Sequence, residues 1–497
     1  MEIFAGGVGG SDGVFKASRC LLQSGICLGS AFKATLRHEV LQLAMIFVCG
    51  INQLSPGAYF LRHDLFSCIV MTVTSPDTEQ FTFEAALLLA LLANFHKSDA
   101  AKQNPYLRHI RECENAEFMR KVCWASNFAA SAAIKAYQAI MDDSPPTLAS
   151  SFNSFLSALR PDRAFASKPV DPPRELFKNQ PVEACVILLP LHELLYGSPV
   201  FRRVFVKTLE GDTKTAAKIT PLPLTLLSLS SYLLSHASSS SSPRAIAYAN
   251  LALNILLVMS ENDEILAGLQ VESAEDVHLC RQRLPALPAT TPPRSPLCAL
   301  LDCCILWLRH NLHKKLEANS YITCIRACTR VIWYLQREHV RLEYHWQELW
   351  RSLTNLLDFL ANKFDNLITT GGVEQLSHET LLLLDLALCR NELLLPSPKA
   401  IHELVYQIVC SAEVFRKQKA MLDQLSNPHT SSRRVSSALS NASQALANIT
   451  AVAEQYEAKL REAAIRSANQ GIRAIAKEIE KDGLNYGQDL HGADDPP

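Results

Sequence analysis

Hydrophobic residues recur at alternating steps of three and four through most of the chain, the spacing that gathers side chains onto one face of an α-helix. The pattern is strongest from Tyr321 to Asn366. Tyr321, Ile325, Cys328, Ile332 and Leu335 define one stripe, and Trp346, Leu349, Trp350, Leu353, Leu357, Leu360 and Phe364 define the next. Gly371-Gly372 stops the chain soon afterwards. Two facing stripes with a short polar joint predict a helical hairpin around which the carboxy-terminal half is organised.

Elsewhere the text is helix after helix. A run from Glu39 to Cys49 breaks at Leu54-Ser-Pro-Gly57, and helical text resumes through Phe66 and Val70. Phe83 to Phe95 is nearly apolar all round, with Leu87, Leu88, Leu91 and Leu92, which places it inside a stack with Leu87 and Leu91 buried. Asn104-Pro105 opens a turn, and in the alanine-rich stretch from Phe118 to Ile140 the residues Phe118, Val122, Ala125, Phe128 and Ala132 fall in step. Ser144-Pro145-Pro146, Pro161 and Asp171-Pro172-Pro173 mark a loop-rich passage with a short helix through Phe155 and Leu159. Further helices are predicted over Val182 to Tyr196, Phe201 to Thr208, Leu222 to Leu234 and Ala245 to Met259, with the serine run from Ser238 to Ser242 as a solvated loop.

Leu284 to Pro296 contains five prolines and is read as a linker. Beyond the hairpin, Leu381 to Leu388 reads as a central helix carrying Leu384, and Pro398 starts another with Ile401, Leu404, Val405, Ile408 and Ala412 in step. The longest predicted helix runs from Val435 to about Lys481, with Val435, Leu439, Ala442, Leu446, Ile449, Ala453, Tyr456 and Leu460 on its stripe.

No alternating strand pattern competes. The predicted fold is all-α, an armadillo/HEAT-like α-solenoid of antiparallel hairpins with a long carboxy-terminal helix, in which each hairpin hides its stripe by stacking on the next. The expected organisation is a poorly patterned segment 1–38, a helical array 39–283, the linker 284–296, a helical domain 297–482 and an acidic tail 483–497.

Composition narrows the function more than it names it. Hydrophobic residues make up 48% of 497, ample for a core, and a net charge of −1 gives no overall field for nucleic acid or anionic membrane. Fifteen cysteines follow no C-x-x-C spacing; the nearest neighbours are Cys303-Cys304 and the Cys324, Cys328 pair, and several sit on helical stripes where a thiol acts as a small hydrophobe. A reducing compartment follows. Met1 to Gly10 lacks a signal-peptide pattern. The uncharged runs Val40 to Leu61 and Ile219 to Pro243 are broken or short of the roughly 18 to 20 apolar residues a span needs, and are read as buried helices. The alternative is an integral membrane protein that uses them as spans.

Catalytic motifs do not assemble. Gly6-Gly7-Val8-Gly9-Gly10 lacks the Lys-Ser/Thr ending of a phosphate loop, and His192-Glu193 and His402-Glu403 lack the second histidine of a zinc helix. Neither an enzyme nor a cofactor is expected. Arg341, Glu343, His345 and Trp346 are candidate partner-binding residues, since charged groups around an aromatic at a helix start suit an interface better than acid/base work. Trp350 is expected in the core and Trp346 at the surface, because polar residues precede it. Arg433-Arg434-Val435-Ser436 makes Ser436 a candidate phosphorylation site at a helix start, where phosphate meets the dipole favourably.

Three passages resemble a known family. Leu54 to Arg62, Phe83-Glu-Ala continuing to Lys97, and Ala100 to Leu107 are similar to the amino-terminal array of the armadillo-like helical domain-containing protein 3 family. Arg341-Leu342-Glu343-Tyr344-His345-Trp346-Gln347-Glu348-Leu349-Trp350 is similar to its carboxy-terminal domain. The similarity extends over most of the chain from about Glu39, resembles a fungal-type member, and begins some helices into the family's array. It implies a non-enzymatic cytosolic scaffold attached peripherally to Golgi membranes. It also implies action in Golgi maintenance and secretion through phosphatidylinositol 4-kinase beta and a Sec7-type Arf exchange factor.

Overall fold

The computed structural model describes residues 34–50, 61, 64–94, 104–141, 143, 174–210, 219–238, 242–288, 293–313, 316–367, 371–425, 435–462 and 467–484. Residues 51–60 of the first uncharged run, the short helix through Phe155, the start of the chain and the acidic tail from Tyr486 lie outside them. The described residues are all-α; their one β feature is an isolated antiparallel bridge between Ser273 and Arg294.

By contacts the chain forms two units, residues 1–140 with 179–229, and residues 141–178 with 230–497. The passage 284–296 lies within the second.

The first unit contains α1 (Ala34–Gly50), α2 (Phe66–Thr74), α3 (Thr82–Ala93), α4 (Pro105–Glu112), α5 (Ala116–Gln138), α6 (Leu188–Gly197) and α7 (Pro199–Lys207). The nearly all-apolar α3 is its centre and packs against α1, α2, α4, α5 and α6. Leu88, Leu89 and Leu92 are buried there, whereas Leu87 and Leu91, expected in the core, are half-buried on one outward edge. A helix without a polar face offers no pattern from which to choose its few outward positions. Asn104 ties two helices together: its side chain caps α4 by accepting from Tyr106 N at 2.9 Å while its amide donates to Leu92 O at 2.9 Å. Pro105 fills the first helical position, where no N–H is needed, and the Tyr106 hydroxyl accepts from Leu65 N.

In α5 the alanines settle which face is buried. Phe118, Val122, Ala125, Ala129, Ala130 and Ala133 pack inward, and Phe128 and Ala132, expected on the same stripe, point out. Small side chains let α7 approach closely, so the larger ring lies on the opposite side.

Helix α8 (Leu222–His236) is buried along its length, as read for the second uncharged run. The second unit continues with α9 (Pro243–Ser260), α10 (Asp263–Gln270), α11 (Pro296–His310), α12 (Ala318–Arg337), α13 (Trp346–Asn362), α14 (Phe364–Leu367), α15 (Val373–Cys389), α16 (Asn391–Leu394), α17 (Pro398–Cys410), α18 (Ala412–Leu425), α19 (Val435–Glu462) and α20 (Ala468–Asp482). Every apolar residue of the α12 and α13 stripes is buried. The expected hairpin is nevertheless not the packing unit. Among the described residues α12 packs mainly on α9 and α15, and α13 mainly on α18 and α17, while α11 and α15 lie against both. Helix α11 is buried on all sides from Pro296 to Leu308, and it is the true centre of this half.

Helix α12 ends in a Schellman turn, with His339 at φ 54° in the position usually given to glycine and Val340 N bonding back to Leu335 O at 2.8 Å. Gly372, at φ 76°, starts α15 with its backbone against Ala318, too close for a side chain of the wrong hand. The predicted long terminal helix is two helices. Ser467 caps α20, which packs on α17 where Gly471 meets the Tyr406 ring so closely that an added Cβ would lie 2.4 Å from it. Ala442, Leu446, Ile449, Ala453 and Tyr456 of α19 are buried, facing α15, α17 and α18.

Candidate interaction surface

Residues Arg341 to His345 join α12 to α13 without regular secondary structure, and their side chains alternate between solvent and core. Arg341, Glu343 and His345 face solvent; Leu342 and Trp346 face the core, with Tyr344 half-buried between them. Three of the four sequence candidates therefore form one exposed row. Trp346 does not join it. At 2% exposure it is a core residue, contrary to its expected surface position, because the polar residues that precede it belong to the joint before α13 and do not share its helical face, whose stripe is buried.

The inward side is a rigid backing. The Trp346 and Trp350 rings stack at 5.4 Å and 11°, and Tyr344 meets Trp346 edge-on at 5.2 Å. The Trp346 indole donates to Leu342 O at 3.1 Å, fixing the ring to the strip that leads into it. Tyr344 donates its hydroxyl to Asp302 Oδ1 at 2.8 Å, and Arg294 Nη1 donates to Asp302 Oδ2 at 3.0 Å while its guanidinium lies over the Tyr344 ring. The Arg294 backbone is itself clamped to Ser273 by two hydrogen bonds of 3.1 and 3.2 Å. Burial pushes the Asp302 carboxyl above the usual carboxylate range, with Arg294 and Tyr344 opposing the shift. Burial likewise holds the Tyr344 phenol protonated, so it remains a donor.

On the outward side, Glu343, Tyr344, His345 and Glu348 line a groove of about 380 Å³ that Lys399 and Glu403 of α17 close opposite. Glu348 is anchored by Arg309 at 2.5 Å. The groove is polar, of mixed charge and open to solvent. Such an arrangement can orient a complementary peptide or side-chain cluster by charge, and its fixed backing lowers the ordering cost of binding. Ser436 is the second residue of α19; its side chain, and Arg433 and Arg434 before it, lie outside the described residues.

The first unit carries a surface that the periodicity did not single out. Trp124 and Phe128 of α5 are 64% and 71% exposed and stack at 6.2 Å. Beside Trp124, a groove of about 430 Å³ runs between Glu79 and Arg120. Its floor is ordered by Lys121, which bridges Glu79 at 2.8 Å and Glu117 at 3.4 Å. The available signal was the run of alanines on the other side of α5.

Residues 294–482 match the family model described as armadillo-like helical domain-containing protein 3, C-terminal, which takes in α11 through α20 and the whole surface around Arg341. Over 387 residues the chain is 26% identical to a UPF0588 membrane protein of Schizosaccharomyces pombe, covering 76% of this chain and 61% of that protein. It is 23% identical over 495 residues to armadillo-like helical domain-containing protein 3 of Homo sapiens, covering 90% of this chain and 69% of that one. The Danio rerio protein of the same name is 22% identical over 469 residues, covering 86% and 65%. The chain thus spans roughly two thirds of the length of these relatives. Both units are all-α, residues 294–482 match the family's carboxy-terminal domain, and the chain is similar through most of its length to proteins named armadillo-like helical domain-containing protein 3.

Proposed function

We propose that the chain is a non-catalytic helical scaffold that docks a protein partner on the row Arg341, Glu343 and His345 and the groove beside it. One observation carries this reading: three exposed polar side chains stand on a strip whose other side is locked into the core by Tyr344 and Trp346. A surface so held is presented in one conformation, whatever the partner. By family resemblance the partners are phosphatidylinositol 4-kinase beta and a Sec7-type Arf exchange factor, met by a cytosolic protein held peripherally at Golgi membranes, in support of Golgi maintenance and secretion. Each partner, purified, is titrated against the full chain and against the triple variant Arg341→Glu, Glu343→Lys, His345→Ala. The variant is expected to melt with the parent, since it touches only exposed positions, and to bind at least about tenfold more weakly, as loss of central interface contacts does. Equal affinity for parent and variant removes this row as the docking site.

A second reading is favoured by α9, the one helix among the described residues long and apolar enough to cross a membrane, and by the words "membrane protein" in the name of the fission yeast relative. Against it, α9 packs on α12 through soluble-style polar contacts: Ser320 donates to Asn250 at 2.7 Å, and the Asn250 amide donates to Glu317 at 3.1 Å. Carbonate washing of membranes is expected to release the chain. Retention in the pellet makes it an integral membrane protein.

A further inference from the structure

We propose that Cys304, Cys324 and Cys328 form a three-sulfur site for a monovalent soft metal ion, copper(I), in the core of the second unit. The three Sγ atoms lie within 4.8 Å of one another and all three residues are fully buried. Cys304 comes from α11; Cys324 and Cys328, four apart, share one face of α12. The packing of α11 on α12 thus assembles from two helices a donor set that sequence spacing alone does not display. Metal–sulfur bonds of about 2.3 Å would separate the sulfurs by roughly 4 Å, so small side-chain rotations bring them onto one ion. The donors are sulfur alone, which selects soft ions such as copper(I) or zinc.

Charge chooses between them. A net charge is costly at a fully buried site. Three clustered thiols that give up one proton between them present one thiolate beside two thiols, a single negative charge shared over three sulfurs. A monovalent ion bound there releases one proton to solvent and leaves a neutral complex, with no change in oxidation state of metal or sulfur. Zinc would need a second thiolate for neutrality and a fourth ligand for its tetrahedron. Because the site is enclosed, the ion is taken up as the chain folds.

The full chain is produced with copper supplied during expression, purified under reducing conditions without oxygen, and washed with bicinchoninate to strip weakly held copper(I). Elemental analysis is expected to show about one copper per chain, and X-ray absorption three sulfur neighbours at about 2.3 Å. Cys324→Ser and Cys328→Ser are expected to lose at least nine tenths of that copper at unchanged helical content, whereas Cys410→Ser, which removes an exposed thiol, retains it. Copper that bicinchoninate removes completely from the parent, nitrogen or oxygen neighbours in the absorption spectrum, or equal copper in parent and folded Cys324→Ser each overturns the proposal. So does one zinc retained in place of copper. The spectrum and the stripping test use the parent alone, so they decide the matter even if the serine variants fail to fold.

Discussion

Trp350→Ala is expected to destabilise the carboxy-terminal unit by about 3–5 kcal/mol, the range for removing a buried large aromatic whose cavity cannot fully collapse. Trp350 is fully buried, stacked on Trp346, and carried by a helix that α11, α15, α17 and α18 all contact. Its indole N–H has no acceptor among the described residues, so Trp350→Phe, which deletes that buried donor along with some area, is expected to cost much less. Trp346→Ala should fall in the same range, with the hydrogen bond to Leu342 O lost as well. Because the two rings touch, the double variant should cost less than the sum, by the roughly 0.5–1.5 kcal/mol that a ring pair contributes beyond its burial. Chemical denaturation of the full chain followed by circular dichroism measures all four. A Trp350→Ala protein that unfolds with the parent would mean the stack does not hold this unit together.

Asp302→Ala is the second large effect, also about 3–5 kcal/mol, the cost of breaking a buried ion pair from one side. The loss comes from what remains: an Arg294 guanidinium only 13% exposed, and a Tyr344 hydroxyl, each deprived of its acceptor. Removing both charges is a different experiment. Arg294→Met with Asp302→Leu should recover most of the stability, because no uncompensated charge is left, although Tyr344 still lacks its partner. The parent, Asp302→Ala and the double variant are compared by the same denaturation. Should Asp302→Ala cost less than about 1 kcal/mol, the value of an exposed pair, the network is solvated and the backing of the Arg341 row is not rigid.

What periodicity could show, it showed well. The stripes of α12 and α13 are buried at the positions where spacing put them, and so is that of α19 from Ala442 to Tyr456, with Leu460 half-buried, since on a long amphipathic helix the polar residues mark the outside and only one face is left. It misled where that mark is missing. On α3 almost every residue is apolar, so Leu87 and Leu91 could not be told from Leu88 and Leu92. On α5 large rings and small alanines compete for the core, and close helix approach decided for alanine. Helix α11 begins at Pro296, the last proline of the stretch read as a linker, and the all-round burial that makes it central is a property of its neighbours. The exposure of Arg341, Glu343 and His345 was legible from charge alone. The burial of Trp346 was not, because the polar residues before it belong to the joint between α12 and α13 and not to the face on which it stands. The cysteine cluster was legible only as two unrelated pairs. Cys304 and Cys324 are twenty residues apart, and a contact between helices is what joins them.

The alternation along Arg341 to Trp346 gives one short strip two independent readerships. Its odd-numbered side chains face solvent, and its even-numbered ones face the protein's own interior. Substitution at the three exposed positions therefore leaves the contacts of Leu342, Tyr344 and Trp346 in place, so the proposed docking surface can be varied without disturbing the packing that displays it. A change in the length of the joint would instead move Tyr344 and Trp346 against Asp302 and Leu342, and so act on the packing first.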